Sequence, residues 1–139
     1  MRKLTLLLSV ITISFTMSYC HITENRWLNI ENDSKYSITC FITTNELNSK
    51  ENLYRHGVSI NKKEKRTLTP GKTSWESYIE KSDGKKLRLY IISTDSIKKY
   101  GRELVFKKNI YLKKYYFTMK DLEKIKFQII YKPDRSDVQ

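Results

Sequence analysis

Cys20 is the residue whose chemistry is easiest to infer, because of the segment that precedes it. Two basic residues follow the initiator, and a run without a charged residue extends from Leu4 to Met17. A basic start, an apolar stretch and small or polar residues at the exit are typical of an export signal. A cysteine at that exit could carry a diacylglycerol on its sulfur after lipoprotein processing. We therefore predict a helical signal over residues 1–19 and lipid attachment at Cys20.

Ordinary signal cleavage is the alternative for the same segment. Tyr19 is larger than the small residue that lipoprotein processing prefers directly before the cysteine. An ordinary peptidase needs small residues one and three positions before the cut, and Thr16-Met17-Ser18 provides them. A transmembrane span needs about 20 apolar residues, and this run is shorter. Under this alternative the protein is secreted or periplasmic and soluble, and Cys20 keeps its thiol.

Cys40 is the other cysteine of the chain, and its fate depends on Cys20. Lipidation of Cys20 leaves Cys40 as a lone thiol, whereas ordinary cleavage permits one disulfide between them. Cys40 shares one alternating face of a predicted strand with three large hydrophobic residues: Tyr36, Ile38 and Ile42. We interpret it as a small buried hydrophobe, since a nucleophilic cysteine needs a base and the chain has two histidines, His21 and His56.

Carboxylates offer the remaining catalytic chemistry. Two of them can drive glycoside hydrolysis when the fold brings them together, and Asp95 or Glu103 could approach Glu76 or Asp83. Exposed carboxylates that balance lysines are the commoner case. Two distant histidines and the lack of an acidic cluster do not favour a zinc or calcium site, and four glycines leave little room for a phosphate loop. We predict no catalytic residue, no metal and no cofactor.

The charge balance indicates an attraction to anions. The chain has 27 Lys and Arg against 15 Asp and Glu, and loss of Arg2 and Lys3 with the signal leaves a formal charge of +10. Such an excess attracts polyanions and anionic membrane surfaces. The lysines are scattered in pairs, arginine is sparse, and no nucleic-acid-binding motif is present. We expect a solvated lysine-rich surface and no specific nucleic acid partner.

The first half of the domain has the alternating pattern of strands. Residues 26–31 alternate before the turn-forming Asn32-Asp33-Ser34, and residues 35–44 form the clearest strand. Residues 45–52 are predicted as a loop, and residues 52–60 are ambiguous. A short strand is predicted over 64–69, and residues 75–79 are predicted as a turn or irregular segment.

The second half has stronger elements. Residues 86–93 are β-branched and aromatic enough for a central strand. A helix is predicted over 94–106, with Asp95 as its cap, Ile97, Tyr100 and Leu104 at helical spacing, and Gly101 as a weak point. Residues 109–117 form a strand, Thr118 and Asp121 resemble a capping box before one helical turn, and residues 126–132 form the last strand.

Short strands separated by turns, without sustained alternation of strands and helices, predict a mainly β fold. We expect a single antiparallel β-sandwich of about seven strands, immunoglobulin-like or related, with one or two short helices. The predicted organisation is a signal over 1–19, a tether over 20–26, the sandwich over 27–133 and a disordered tail over 134–139.

Residues 111–125, which contain Tyr115-x-x-Thr118-x-x-Asp121-Leu122, are followed by the closing run over 129–133 and preceded by the aromatic segment over 74–79. Together they resemble a family of small uncharacterised envelope lipoproteins of Bacteroidetes. Two positions differ from the family pattern: an acidic residue is replaced by Tyr116 and a tryptophan by Phe127. The resemblance implies a lipid-anchored envelope protein and assigns no activity and no binding residue.

These observations together predict a non-enzymatic accessory or ligand-binding module of the cell envelope. Its partners would be the membrane, through a lipid on Cys20 at the outer membrane or periplasmic face, and an unknown envelope protein or glycan. The alternative function is a secreted cationic binder of polyanions such as lipopolysaccharide, acidic glycan or nucleic acid.

Overall fold

The structure, a computed structural model, describes residues 26–47 and 57–133. Over these residues the chain is mainly β, with seven strands in two sheets and four α-helices. The predicted signal, the attachment residue Cys20 and the predicted tether up to residue 25 lie outside the described residues. Both histidines and the predicted tail over 134–139 lie outside them as well.

The seven strands are short, and six of them overlap segments where the sequence predicted strands. The exception is the third, which falls in the ambiguous stretch over 52–60. The strands are β1 (Leu28–Asn32), β2 (Ile38–Thr43), β3 (Val58–Ile60), β4 (Lys65–Leu68), β5 (Leu87–Ser93), β6 (Lys113–Phe117) and β7 (Gln128–Tyr131).

The helices have six or seven residues each: α1 (Trp75–Glu80), α2 (Thr94–Tyr100), α3 (Arg102–Lys107) and α4 (Met119–Lys124). A 3-10 turn over Asp83–Lys85 leads into β5. Among the described residues, no helix has the length and apolar character that crossing a membrane requires.

The first sheet has three strands in the order β4-β1-β7. β1 runs antiparallel to β4, with Leu28 opposite Leu68, and parallel to β7, with Ile30 opposite Ile129. The expectation of purely antiparallel sheets is therefore wrong for the pair β1 and β7. Parallel neighbours need a long connection, and the whole domain lies between these first and last strands. Hydrophobic alternation carries no information about the direction of a distant partner strand.

The second sheet has four strands in the order β3-β2-β5-β6, and all of its pairs are antiparallel. β5 lies in the interior of this sheet between β2 and β6, as the sequence predicted for a central strand. Phe41 of β2 is opposite Tyr90 of β5, and Cys40 is opposite Ile91.

The main hydrophobic core contains residues of both sheets. Successive side chains of a strand point to opposite faces, so alternate residues of β2 and β5 enter this core. The predicted face of β2 is confirmed, because Ile38 and Cys40 are buried there with Tyr36 and Ile42 packed against them. The other fully buried members include Leu28, Ile30, Ile60, Leu87, Leu89, Ile91, Leu122 and Tyr131.

A second core covers the opposite face of the four-stranded sheet. Phe41 and Tyr90, which alternate with the residues of the main core, are buried here with Val105 and Phe106 of α3. The rings of Phe41 and Phe106 meet edge to face with centroids 5.2 Å apart. The four-stranded sheet is therefore covered on both faces, which explains why residues 87–92 of β5 are all buried.

The irregular segment predicted over 75–79 is instead the helix α1, so that prediction is wrong. Ser74 caps the helix, because its hydroxyl accepts a hydrogen bond from the Ser77 N–H. Trp75 and Ile79 lie four residues apart on one face and are both buried. Burial of this face against the core stabilises a helix that is too short to form on its own.

The single helix predicted over 94–106 is divided into α2 and α3 at Gly101, whose φ is 78°. Asp95 lies in the first turn of α2 and does not cap it; the capping position is Ser93. Because the helix axis is interrupted, the predicted spacing fails after Ile97. Tyr100 and Leu104 are exposed, and Val105 and Phe106 are buried instead.

Candidate functional site

A cleft of about 400 Å³ opens between the two sheets at the edge where β3 and β4 lie. β3 and β4 are consecutive in the chain but belong to different sheets, and the turn over 61–64 joins the end of one to the start of the other. Val58 begins β3 and Leu68 ends β4, so the cleft lies at the end of these strands remote from the turn. Its volume falls within the range of about 300–1,000 Å³ that is typical of ligand pockets.

The lining of the cleft is mostly apolar with a few polar groups. The four-stranded sheet contributes Cys40, Ile42 and Val58, and α1 contributes Tyr78. The remaining side is formed by the end of β4 and the turn after it, residues 67–71. Thr69 adds a hydroxyl group to this side, whereas the hydroxyl of Thr67 donates to Asn29 Oδ1 on the face of the three-stranded sheet opposite to the buried Leu68. Apolar walls with a small number of hydroxyls suit a small, largely apolar ligand that carries a polar group.

Cys40 lies at the base of the cleft and behaves as the hydrophobe that the sequence indicated. It is a free thiol, 1% of its surface is exposed, and burial raises its pKa to about 12. A thiol with such a pKa is protonated at neutral pH and is a poor nucleophile. The residue therefore contributes apolar contact to the cleft.

The helix wall of the cleft is held to the start of the domain. The Trp75 indole Nε1–H donates a hydrogen bond of 2.7 Å to the carbonyl oxygen of Arg26. The rings of Trp75 and Tyr78 meet edge to face with centroids 6.1 Å apart. Arg26 in turn forms ion pairs with Glu76 at 3.4 Å and with Glu123 at 2.8 Å. These contacts fix α1, and with it Tyr78, relative to both β1 and α4.

A polar cluster is centred on Glu46, which lies three residues after the end of β2. Its carboxylate accepts hydrogen bonds from Tyr90 and Lys114 at 2.8 Å each, from Tyr116 at 3.1 Å and from Arg88 Nε at 3.2 Å. Tyr90 and Arg88 are on β5, and Lys114 and Tyr116 are on β6. The cluster therefore joins the loop after β2 to two strands of the sheet.

The electrostatics of this cluster favour the ionised carboxylate. Burial raises the pKa of Glu46, but the hydrogen bonds from Lys114, Tyr90, Arg88 and Tyr116 outweigh it and hold the pKa at about 2. Burial lowers the pKa of Lys114, but its hydrogen bond to Glu46 raises the value above the ordinary one. For Tyr90, burial and the hydrogen bond to Glu46 both raise the pKa.

Arg88 is the buried cation of this cluster, with 8% of its side chain exposed. Besides Glu46 it contacts Asp83, whose carboxylate lies 3.2 Å from Nη2, and it donates from Nη1 to the carbonyl oxygens of Thr44 and Asp83 at 2.8 Å each. A buried charge is tolerated when it is paired and hydrogen-bonded in this way.

Glu46 is poorly suited to act as a general acid or base. A general acid or base works best with a pKa near the operating pH, and Glu46 stays ionised far below neutrality. Its oxygens are also already engaged by four side chains. The arrangement is suited to holding the loop after β2 against β5 and β6.

Three of the four carboxylates that the sequence suggested as a catalytic pair contact a different cation each. Glu76 pairs with Arg26, Asp83 with Arg88, and Asp95 lies 4.0 Å from Lys98. Glu103 is exposed on α3. Among residues 26–47 and 57–133, no group of three or more His, Cys, Asp and Glu side chains is placed to hold a metal ion.

Sequence reasoning missed both the cleft and the Glu46 cluster. One signal for the cluster was available: Arg88 interrupts an otherwise apolar run in a predicted central strand, and a buried arginine requires a paired carboxylate. The cleft had no comparable signal in the sequence. Its width depends on how far β3 and β4, which belong to different sheets, diverge after the turn over 61–64 that joins them.

The chain was compared with protein-family models, curated proteins and solved structures. No protein-family model, no curated protein and no solved structure matches the chain.

Proposed function

We propose that this protein is a cell-envelope lipoprotein whose domain, a β-sandwich, binds a small and largely apolar ligand between its two sheets. Lipid on Cys20 tethers the domain, and the domain acts as an accessory or carrier module without catalysing a reaction. The cleft bordered by Cys40, Val58, Leu68 and Tyr78 is the observation that carries the binding function.

One feature supports the sandwich. The inner faces of both sheets share one buried core, in which Leu28 and Ile30 of one sheet pack with Leu89 and Ile91 of the other. Two sheets that bury a common core in this way form the layers of a sandwich. The helices α2 and α3 add a third layer on the outer side of the four-stranded sheet.

Support for the envelope location comes from the sequence. The uncharged run from Leu4 to Met17 ends at Cys20, and the C-terminal half resembles the envelope lipoprotein family. A lysine-rich chain that keeps a formal charge of +10 after loss of Arg2 and Lys3 is also compatible with an anionic membrane surface nearby.

Binding of a neutral fluorescent probe tests the cleft. N-phenyl-1-naphthylamine becomes brighter in apolar surroundings, and we expect saturable binding to one site. Thr69 lies exposed at the cleft, so Thr69→Phe should fill it without disturbing the core. We expect this variant to weaken binding at least tenfold.

Thr73→Phe is the matched control, because Thr73 is exposed and does not line the cleft. It introduces the same side chain four residues away and should leave probe binding unchanged. Equal binding by the wild type and Thr69→Phe, or a parallel loss in both variants, would show that the cleft is not the binding site.

Metabolic labelling with an alkyne fatty acid tests the anchor. Cells that express the wild type should give a labelled band, and cells that express Cys20→Ala should not. A wild type without label, indistinguishable from Cys20→Ala, would contradict lipidation and favour cleavage after Ser18.

A secreted binder of polyanions is the second candidate, favoured by the excess of basic residues. If charge drives binding, retention on heparin should fall steeply as salt rises. Elution near physiological salt would count against this candidate.

A further inference from the structure

Exposed apolar and cationic side chains are concentrated in one short stretch of the surface. It is formed by the end of α2, by α3 and by the turn after α3. We call it the helical face and define it by seven exposed residues: Lys98, Lys99, Tyr100, Leu104, Lys107, Lys108 and Ile110.

The apolar part of this face is unusual for the protein. The described residues include six large hydrophobic side chains that are exposed, and three of them fall within residues 100–110. Tyr100 is 43% exposed, Leu104 39% and Ile110 36%. Single exposed hydrophobic residues need no explanation, but a local concentration indicates an interaction surface.

The backbone brings these side chains into one region. Gly101 separates α2 from α3, and the N–H of Lys108 donates to the carbonyl oxygen of Leu104 at 2.9 Å. The N–H of Ile110 donates to the carbonyl oxygen of Val105, also at 2.9 Å, which folds the turn back onto α3. Since Val105 and Phe106 fill the second core, Leu104 and Ile110 are left on the outside.

The charge of the same stretch is strongly positive. Between residues 98 and 110 there are five basic residues, the four lysines of the helical face and Arg102, against one acidic residue, Glu103. The Lys99 ammonium lies 4.9 Å from the centroid of the Tyr100 ring, so a cation and an aromatic side chain adjoin directly. This charge favours an anionic partner.

We propose that the helical face docks onto an anionic lipid bilayer. Peripheral helices that lie in a membrane interface typically combine lysines with leucine and aromatic side chains. The cations contact lipid headgroups, and Tyr100, Leu104 and Ile110 enter the boundary between headgroups and acyl chains. Amphipathic lysine and tyrosine side chains are suited to this depth, since their polar ends stay in water.

A soluble polyanion explains the face less completely. Heparin or nucleic acid would be held by phosphate or sulfate contacts, which use only the lysines. The concentration of Leu104 and Ile110 beside them would have no role in such a complex. A bilayer uses both parts of the surface at once.

The proposal does not depend on the lipid at Cys20, because it rests on exposed residues of α2, α3 and the turn after α3. If the anchor is present, docking becomes an intramolecular step and its effective concentration rises. The test therefore needs a signal from the helical face itself, and not from attachment of the whole chain to vesicles.

Amide hydrogen exchange of residues 98–110 supplies that signal. The full chain is reconstituted with vesicles of phosphatidylcholine, or of phosphatidylcholine with phosphatidylglycerol, and exchange is followed by mass spectrometry. We expect exchange over 98–110 to slow several-fold on the anionic vesicles only. The slowing should disappear at about 1 M salt, where the Debye length is about 3 Å.

Two pairs of substitutions distinguish docking through the helical face from attraction by the overall charge of the protein. Neutralising a lysine near an anionic membrane lowers docking about fivefold, so Lys107→Gln with Lys108→Gln should lower the docking constant roughly 30-fold. Lys120→Gln with Lys124→Gln removes the same charge from exposed positions on α4 and should leave the protection unchanged. Leu104→Ser should weaken docking while the charge stays constant.

Three results would overturn the proposal. The first is equal exchange over 98–110 on neutral and anionic vesicles. The second is an equal loss of protection in both lysine pairs, which would mean that overall charge and not this face is responsible. The third is protection by heparin in solution without protection by anionic vesicles, which would identify a soluble polyanion as the partner.

Discussion

Glu46→Gln tests whether the Glu46 cluster stabilises the sheet through its charge. Glutamine keeps the shape of the side chain and part of its hydrogen bonding but removes the negative charge from among Arg88, Tyr90 and Lys114. The difference between the ordinary pKa of 4.5 and the folded value of about 2 corresponds to ~3.4 kcal/mol. The Glu46 side chain is 42% exposed, so solvent screening reduces this, and we expect a loss of about 1–2 kcal/mol at pH 7.

The sign of the pH dependence follows from the lowered pKa. A carboxylate whose pKa is lower in the folded state stabilises the fold above its unfolded pKa, and this stabilisation is lost as the pH falls through the folded pKa. For Glu46 the loss occurs between pH 4.5 and about 2. By pH 3 about 60% of the contribution should be lost. The difference in stability between the wild type and Glu46→Gln should therefore shrink on acidification.

Urea unfolding at pH 7 and pH 3 measures this difference, with tryptophan fluorescence as the signal because Trp75 is 2% exposed in the folded state. Other carboxylates also titrate here, but they are common to both proteins and cancel in the difference. Glu80→Gln is the matched control, since Glu80 pairs with Lys85 at the surface and such pairs contribute about 0–1 kcal/mol. A loss that is equal at both pH values, or no larger than that of Glu80→Gln, would refute the reasoning.

Three further predictions concern packing, capping and the thiol. Gly57→Ala should destabilise the domain by about 1–3 kcal/mol in urea unfolding, because a Cβ there would lie 2.5 Å from Cγ2 of Thr39 and 2.6 Å from Cζ of Phe41; an unchanged midpoint would contradict this contact. Thr118→Ala should cost about 1 kcal/mol, because Thr118 and Asp121 form a reciprocal capping box at the start of α4; Thr73→Ala serves as an exposed control without a capping role. In a Cys20→Ala background, Cys40 should react with a thiol reagent only after unfolding, because it is 1% exposed and its pKa is about 12; rapid reaction of the folded protein would show that the base of the cleft is open.

The strands could be predicted because their signals are local. β2 alternates between two faces, and the sequence assigned Ile38, Cys40 and Ile42 to the correct one. β5 is rich in β-branched and aromatic residues, and this indicated a central strand. The capping box at Thr118 is likewise confirmed, since both of its hydrogen bonds join residues three positions apart.

The features that escaped prediction depend on distant contacts or on one backbone angle. The parallel partner of β1 comes from the far end of the chain, and nothing in the alternation of residues 28–32 indicates it. Helical spacing predicted that Tyr100 and Leu104 share one helix face with Ile97, but the helix is interrupted at Gly101, and Val105 and Phe106 are buried instead. Because the sequence predicted one continuous helix, it did not indicate that Tyr100 and Leu104 are exposed on the helical face.

The positions of the cleft and the helical face are related through the four-stranded sheet. Cys40 and Ile42 of β2 point toward the three-stranded sheet and line the cleft, whereas Phe41 between them points to the layer formed by α2 and α3. Adjacent residues of one strand thus belong to opposite sides of the domain. When the helical face lies on a bilayer, the cleft belongs to the side of the sheet turned away from it. A ligand could then exchange with the aqueous phase or a partner protein while the domain stays docked, and the same double lysine substitution that releases the helical face should leave probe binding in the cleft unchanged.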